Sequence, residues 1–191
     1  MGSLGGTAGG PMPAAAPRGV LVAVPLLVGA AVAVAVGVFG RVHTPTGEAL
    51  WIGPFPSLYA MKVWLTIAVL ALALVQFVTA LWIYGRLGAR PPRWAGGLHR
   101  GLGALAVLIS LPVAANCLWV LGLQTTSPRV LAHGLLGCAF YGAFVAKVLT
   151  LHSRRLPNWA LPVVAGLLLT AVVGVSLTSA VWYLATEGVP H

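Results

Sequence analysis

Five long apolar runs dominate the chain, separated by short segments that collect almost all of its charge. The runs cover 19–40, 63–84, 101–122, 130–151 and 159–184. The run 130–151 carries Lys147, and the other four carry no charged side chain. A helix needs about 20 apolar residues to cross a bilayer, because each residue rises about 1.5 Å through a hydrocarbon core about 30 Å thick. Each run meets that length, and each is far too long for a strand. The pattern predicts an all-α membrane protein, a bundle of five transmembrane helices. A signal peptide is the rival reading of 19–40, since Arg18 precedes the run and small residues fill its end. Signal cores extend over about 7–15 residues, so the run is read as a retained first helix. Ahead of it, 1–18 is rich in Gly, Ala and Pro without an apolar period, which predicts a disordered cytoplasmic tail. Residues 185–191 are read as a short outer tail.

The charges between the runs choose an orientation. Arg18, the connector arginines Arg86, Arg90, Arg93 and Arg100, and then Arg154 and Arg155 all fall on one side of a five-span chain. The opposite side has Arg41, Lys62 and Arg129, together with both acidic residues, Glu48 and Glu187. Cytoplasmic loops carry the excess of Lys and Arg, so the N-terminus is predicted to be cytoplasmic and the C-terminus extracytoplasmic. Trp64, Trp82, Trp119, Trp159 and Trp182 lie near the predicted helix ends, as a headgroup-level aromatic belt requires.

Composition narrows the class further. Hydrophobic residues make up 59% of the 191, and charged residues 7%. A soluble domain carries about 25% charged residues, so no water-facing surface can be built from this chain and the lipid bilayer is its solvent. A formal net charge of +9 would suggest nucleic acid in a soluble protein. Here the arginines flank apolar runs and act as topology signals, so no nucleic-acid partner is expected. Arginine-rich, lysine-poor usage suggests a GC-rich bacterial genome, and hence a bacterial plasma membrane. Cys117 and Cys138 lie inside apolar runs without metal-type spacing and are read as small apolar fillers.

Small residues recur every four positions at Gly29, Ala33 and Gly37, and again at Gly166, Thr170, Gly174 and Thr178. That spacing lets helix backbones approach closely, within one chain or between copies, and it leaves the oligomeric state open. Polar groups in a bilayer are expensive, which makes Gln76, Asn116, His133 and Lys147 the residues to weigh, with His99 and His152 at helix ends. No carboxylate lies in a span, which argues against a pump built on buried Asp or Glu. Histidine on a helical bundle suggests haem b, whose iron takes axial imidazoles. His99 and His133 are predicted at opposite membrane faces and cannot share one haem. Depth-matched sets are His99 with His152 on the inner side, and His133 with Met61 or His43 on the outer side. Around His133, Gly137, Phe140, Tyr141, Phe144 and Lys147 share one helical face that could take a flat ring. The plain alternatives are an interhelical hydrogen bond for His133 and Gln76, and a Lys147 stem that snorkels to the headgroups.

From residue 54 onward the chain resembles a family of five-helix membrane proteins from actinobacteria with no assigned activity. The stretches that carry the likeness are PFPSLYAMKVWL (54–65), LHRGLGALA (98–106), CLWVLG (117–122) and HGLLGCAFYGAFVAKVL (133–149). The resemblance implies a histidine directly before the Cys-Leu-Trp stretch, depth-matched with His133 as in a membrane b-type cytochrome. This chain has Asn116 there. The leading expectation is a haem b-binding electron-transfer bundle linking a membrane quinol to a redox protein at the outer face, with His133 and then His99 as iron ligands. The rival is a non-catalytic membrane subunit or assembly factor that binds proteins without a cofactor and is not a stand-alone enzyme.

Overall fold

The structure, a computed structural model, describes residues 18–153 and 156–191, with side chains from residue 21 onward. Most of the predicted N-terminal tail, and Arg154 and Arg155, lie outside the described residues. Among the described residues, five helices are long and apolar enough to cross a membrane: Leu21–Val42, Leu58–Ile83, Ala95–Leu121, Pro128–His152 and Ala160–Thr186. We label them by their regular segments: α1 (Arg18–Val42), α2 (Leu58–Ile83), α3 (Ala95–Asn116), α4 (Pro128–His152) and α5 (Ala160–Ser176). α3 continues into a π-helical turn at Cys117–Leu121. α5 continues through a second, Leu177–Val181, into the short α6 (Trp182–Thr186).

Two helices begin ahead of their apolar runs at serine caps, so there the cap rather than hydropathy sets the start. Ser57 Oγ accepts from the Ala60 backbone N–H at 3.1 Å, satisfying one of the orphan donors of α2. Ser127 does the same for Val130 at 3.3 Å, with Pro128 in the first turn of α4. As a result Lys62 lies on α2 itself, where the hydropathy pattern places it in a loop. α3 also starts ahead of its run, at Ala95 and without a side-chain cap, so His99 and Arg100 are helical.

The helices form a ring in the order α1, α4, α5, α2, α3. It closes at the end of the bundle that carries the loop 43–57, here the loop end. There the π-helical turn after α3 meets α1. The Leu123 N–H donates to Gly40 O at 2.6 Å, and the Thr46 and Gly47 N–H groups donate to Trp119 O and Val120 O at 3.1 and 3.2 Å. Gly122 turns the chain at φ +67°, a conformation that L side chains rarely adopt.

Between apolar helices in lipid, backbone proximity and van der Waals packing supply the cohesion. The α1 stripe provides it. A Cβ on Gly29 would lie 2.5 Å from Gly142 O, so these backbones touch only because both residues are glycine. Ala33 and Cys138 extend the same α1–α4 seam. The α5 stripe is used unevenly. Gly174 packs on the flexible end of Leu136, whereas a Cβ on Gly166 would meet nothing within 4 Å. Leu27, Val34 and Leu108 are more than half exposed on the outside of the bundle, the surface lipid would cover.

Candidate functional site

Several polar residues of the spans tie one helix to another or to a loop. Asn116 is 1% exposed and fully engaged. Its Oδ1 accepts from the Leu50 N–H at 3.0 Å, and its Nδ2 donates to Trp51 O at 3.1 Å and Pro112 O at 2.9 Å. The side chain therefore clamps the middle of the loop 43–57 to α3. Gln76 Nε2 donates to His99 O at 2.5 Å, and His99 Nδ1 lies 2.8 Å from Thr79 Oγ1, which ties α3 to α2. His152 is exposed, and its Nδ1 lies 2.8 Å from Val148 O of its own helix. His99 and His152 are thus engaged on different helices. Tyr141 donates to Ser110 O at 3.2 Å, and the two hydroxyls lie 3.0 Å apart, bridging α4 to α3. Lys147 is half-buried on α4.

His43 stacks on Phe39 with centroids 5.1 Å apart and lies tilted by 49° against Trp119 at 4.8 Å. Its Nε2 is buried without a hydrogen-bond partner among the described residues. Arg129 has a structural role beyond its charge. Its Nη1 donates to Thr178 O at 2.7 Å, in the π-helical turn, and its guanidinium lies 3.5 Å over the Trp182 ring.

His133 is the sequence-selected residue that faces open space. It lines a cavity of about 170 Å³ that runs from the loop end toward mid-bundle. Its Nδ1 reaches Thr178 Oγ1 only at 3.4 Å, beyond the usual range for a nitrogen–oxygen hydrogen bond. Val69, Val113, Val172 and Val175 form apolar walls, with Tyr141 between them. Gly137, one turn from His133, offers a bare patch where an added Cβ meets nothing within 4 Å. Lys62 and Thr66, one helical turn apart on α2, complete the polar side. Neither Asn116 nor Met61 lines this cavity, and Met61 is wholly buried elsewhere on α2. An engineered protein cavity of about 150 Å³ takes benzene, whereas drug-sized ligands occupy roughly 300–1,000 Å³. A porphyrin beside His133 therefore requires the helices to part. No group of three or more metal-ligating side chains occurs among the described residues.

Sequence reasoning passed over Lys62 and Thr66. The signal was there: Ser57 after Pro56 is a helix start, and it puts both residues on one face of α2.

One family model, described as a family of unknown function (DUF6529), matches residues 21–191. No curated protein and no solved structure matches the chain.

Proposed function

We propose that this chain, which belongs to the family of unknown function DUF6529, is a non-catalytic membrane subunit or assembly factor that works by contact with another membrane protein. It resides in the plasma membrane of a bacterium, with the loop 43–57 on the outer face. The observation that carries this reading is the Asn116 clamp. A buried amide spends its oxygen and one of its N–H bonds on holding a loop whose Leu50 and Trp51 stay half exposed, and its other N–H bond on Pro112 O of its own helix. Ordering a loop in advance removes an entropic cost from binding, and exposed Trp is a favoured anchor at protein interfaces.

The test places a photo-crosslinking amino acid at Trp51 in native membranes. A discrete protein adduct is expected there, with none from the same probe at the lipid-facing Leu27. Identical lipid-only labelling at the two positions would refute the contact role.

The second reading, a haem b bundle drawing electrons from a membrane quinol, rests on His133 facing the cavity opposite Lys62 beside the bare Gly137. It predicts an absorption band after haem supplementation that His133→Ala removes and His99→Ala keeps. A colourless protein under those conditions leaves the contact role alone.

A further inference from the structure

The cavity has polar equipment that the contact role does not use. Its mouth holds Lys62, with His133 and Thr66, and no carboxylate lines it. Glu48 and Glu187, the chain's two acidic residues, are both exposed. A cation next to apolar walls and without an anionic partner favours an anion carried on a hydrocarbon body. The walls below are overwhelmingly apolar, and their hydroxyls are already engaged: Ser110 and Tyr141 with each other, and Ser176 with Val172 O. Any guest therefore finds its polar recognition at the mouth and only hydrocarbon contact further in. The volume of about 170 Å³ suits a small apolar body of roughly benzene size, too little for a whole lipid. α1 meets the α3 side of the ring mainly through the π-helical turn at the loop end, so below that turn a longer tail has a way out between α1 and α3 into the bilayer.

We infer that this cavity binds a single-chain lipid carboxylate, its head on the Lys62 ammonium beside His133 and Thr66, its first methylenes against Gly137 and Val172, and its tail leaving between α1 and α3. A neutral quinone ring matches the volume equally well but leaves the Lys62 charge uncompensated, so the carboxylate is favoured. The site would make the protein responsive to free fatty acid in its own membrane.

The experiment measures binding of dodecanoate to the purified full-length protein in neutral detergent by native mass spectrometry, with dodecanol and a short-tailed benzoquinone as comparison ligands. Dodecanoate should bind with one-to-one stoichiometry and at least tenfold more tightly than dodecanol. Lys62→Met should weaken it at least tenfold, and Lys62→Arg should restore most of the affinity. Gly137→Leu, which fills the open patch, should abolish binding while the protein melts at the wild-type temperature or above. Lys147→Met, outside the cavity, should bind as wild type does. Equal binding of dodecanol, or dodecanoate binding unchanged in both Lys62→Met and Gly137→Leu, would overturn the proposal. So would a quinone that binds more tightly than dodecanoate and ignores Lys62→Met. Because the readout needs no protein partner, the contact role can fail without affecting it.

Discussion

At the scale of single residues, the two most informative side chains are polar groups in opposite situations. Asn116 is buried and satisfied, whereas His43 Nε2 is buried and unpaired among the described residues. Removing a partner from buried groups exposes their desolvation cost, about 1–3 kcal/mol. Asn116→Ala strips the Leu50 N–H and the Trp51 carbonyl of their partner. It should lower stability by about that amount and make the loop 43–57 sensitive to protease, as thermal melting in detergent and limited digestion will show. A loop as resistant as wild type would remove the clamp from the account. Asn116→His faces the same loss, because its ring would point at the loop and away from the cavity that His133 lines. His43→Phe runs the other way. It replaces an unpaired buried nitrogen by carbon in an aromatic stack, so the melting temperature should hold or rise. A marked fall would mean that Nε2 has a partner in the membrane.

At the scale of elements, the four-residue spacing of small residues marked two helix faces, and packing used them differently. On α1 the stripe meets α4 backbone to backbone. On α5 it meets one flexible leucine at Gly174 and open space at Gly166. Overpacking a tight contact costs about 1–3 kcal/mol, and a side chain that can swing away costs less. Gly142→Leu should therefore destabilise the bundle most, Gly174→Leu less, and Gly166→Leu hardly at all, by thermal melting of the three variants side by side. If Gly166→Leu is as damaging as Gly142→Leu, that face of α5 is covered, and a second copy of the chain is the first partner to examine. The π-helical turns belong to this scale too. Both lie at the loop end, and one leaves the Thr178 carbonyl to be bonded by Arg129. Nothing in the local sequence distinguishes these turns from ordinary helix.

At the scale of the whole molecule, orientation rests on the seven-to-three division of basic residues between the two sides. A reporter active only outside the cytoplasm should be active when fused after His191 and silent when fused within the connector 85–93. The reverse pattern would invert the bundle and place the loop 43–57 in the cytoplasm. The five spans were legible in the sequence because crossing a bilayer is a demand on composition over about 20 residues, which needs no knowledge of neighbours. The α1 stripe was legible for a similar reason: only glycine and alanine permit such close backbones. Which way each helix is rotated about its own axis was not legible. Lipid tails are as apolar as a helix core, so the outer face of each span is as hydrophobic as the inner one, and no amphipathic stripe records which side faces in. Only the packed ring decided that Asn116 turns to the loop while His133 turns to the cavity. The same packing, with the Ser57 cap, carried Lys62 out of its expected loop and onto the cavity wall, because a helix start is fixed by backbone donors and not by where the charge lies.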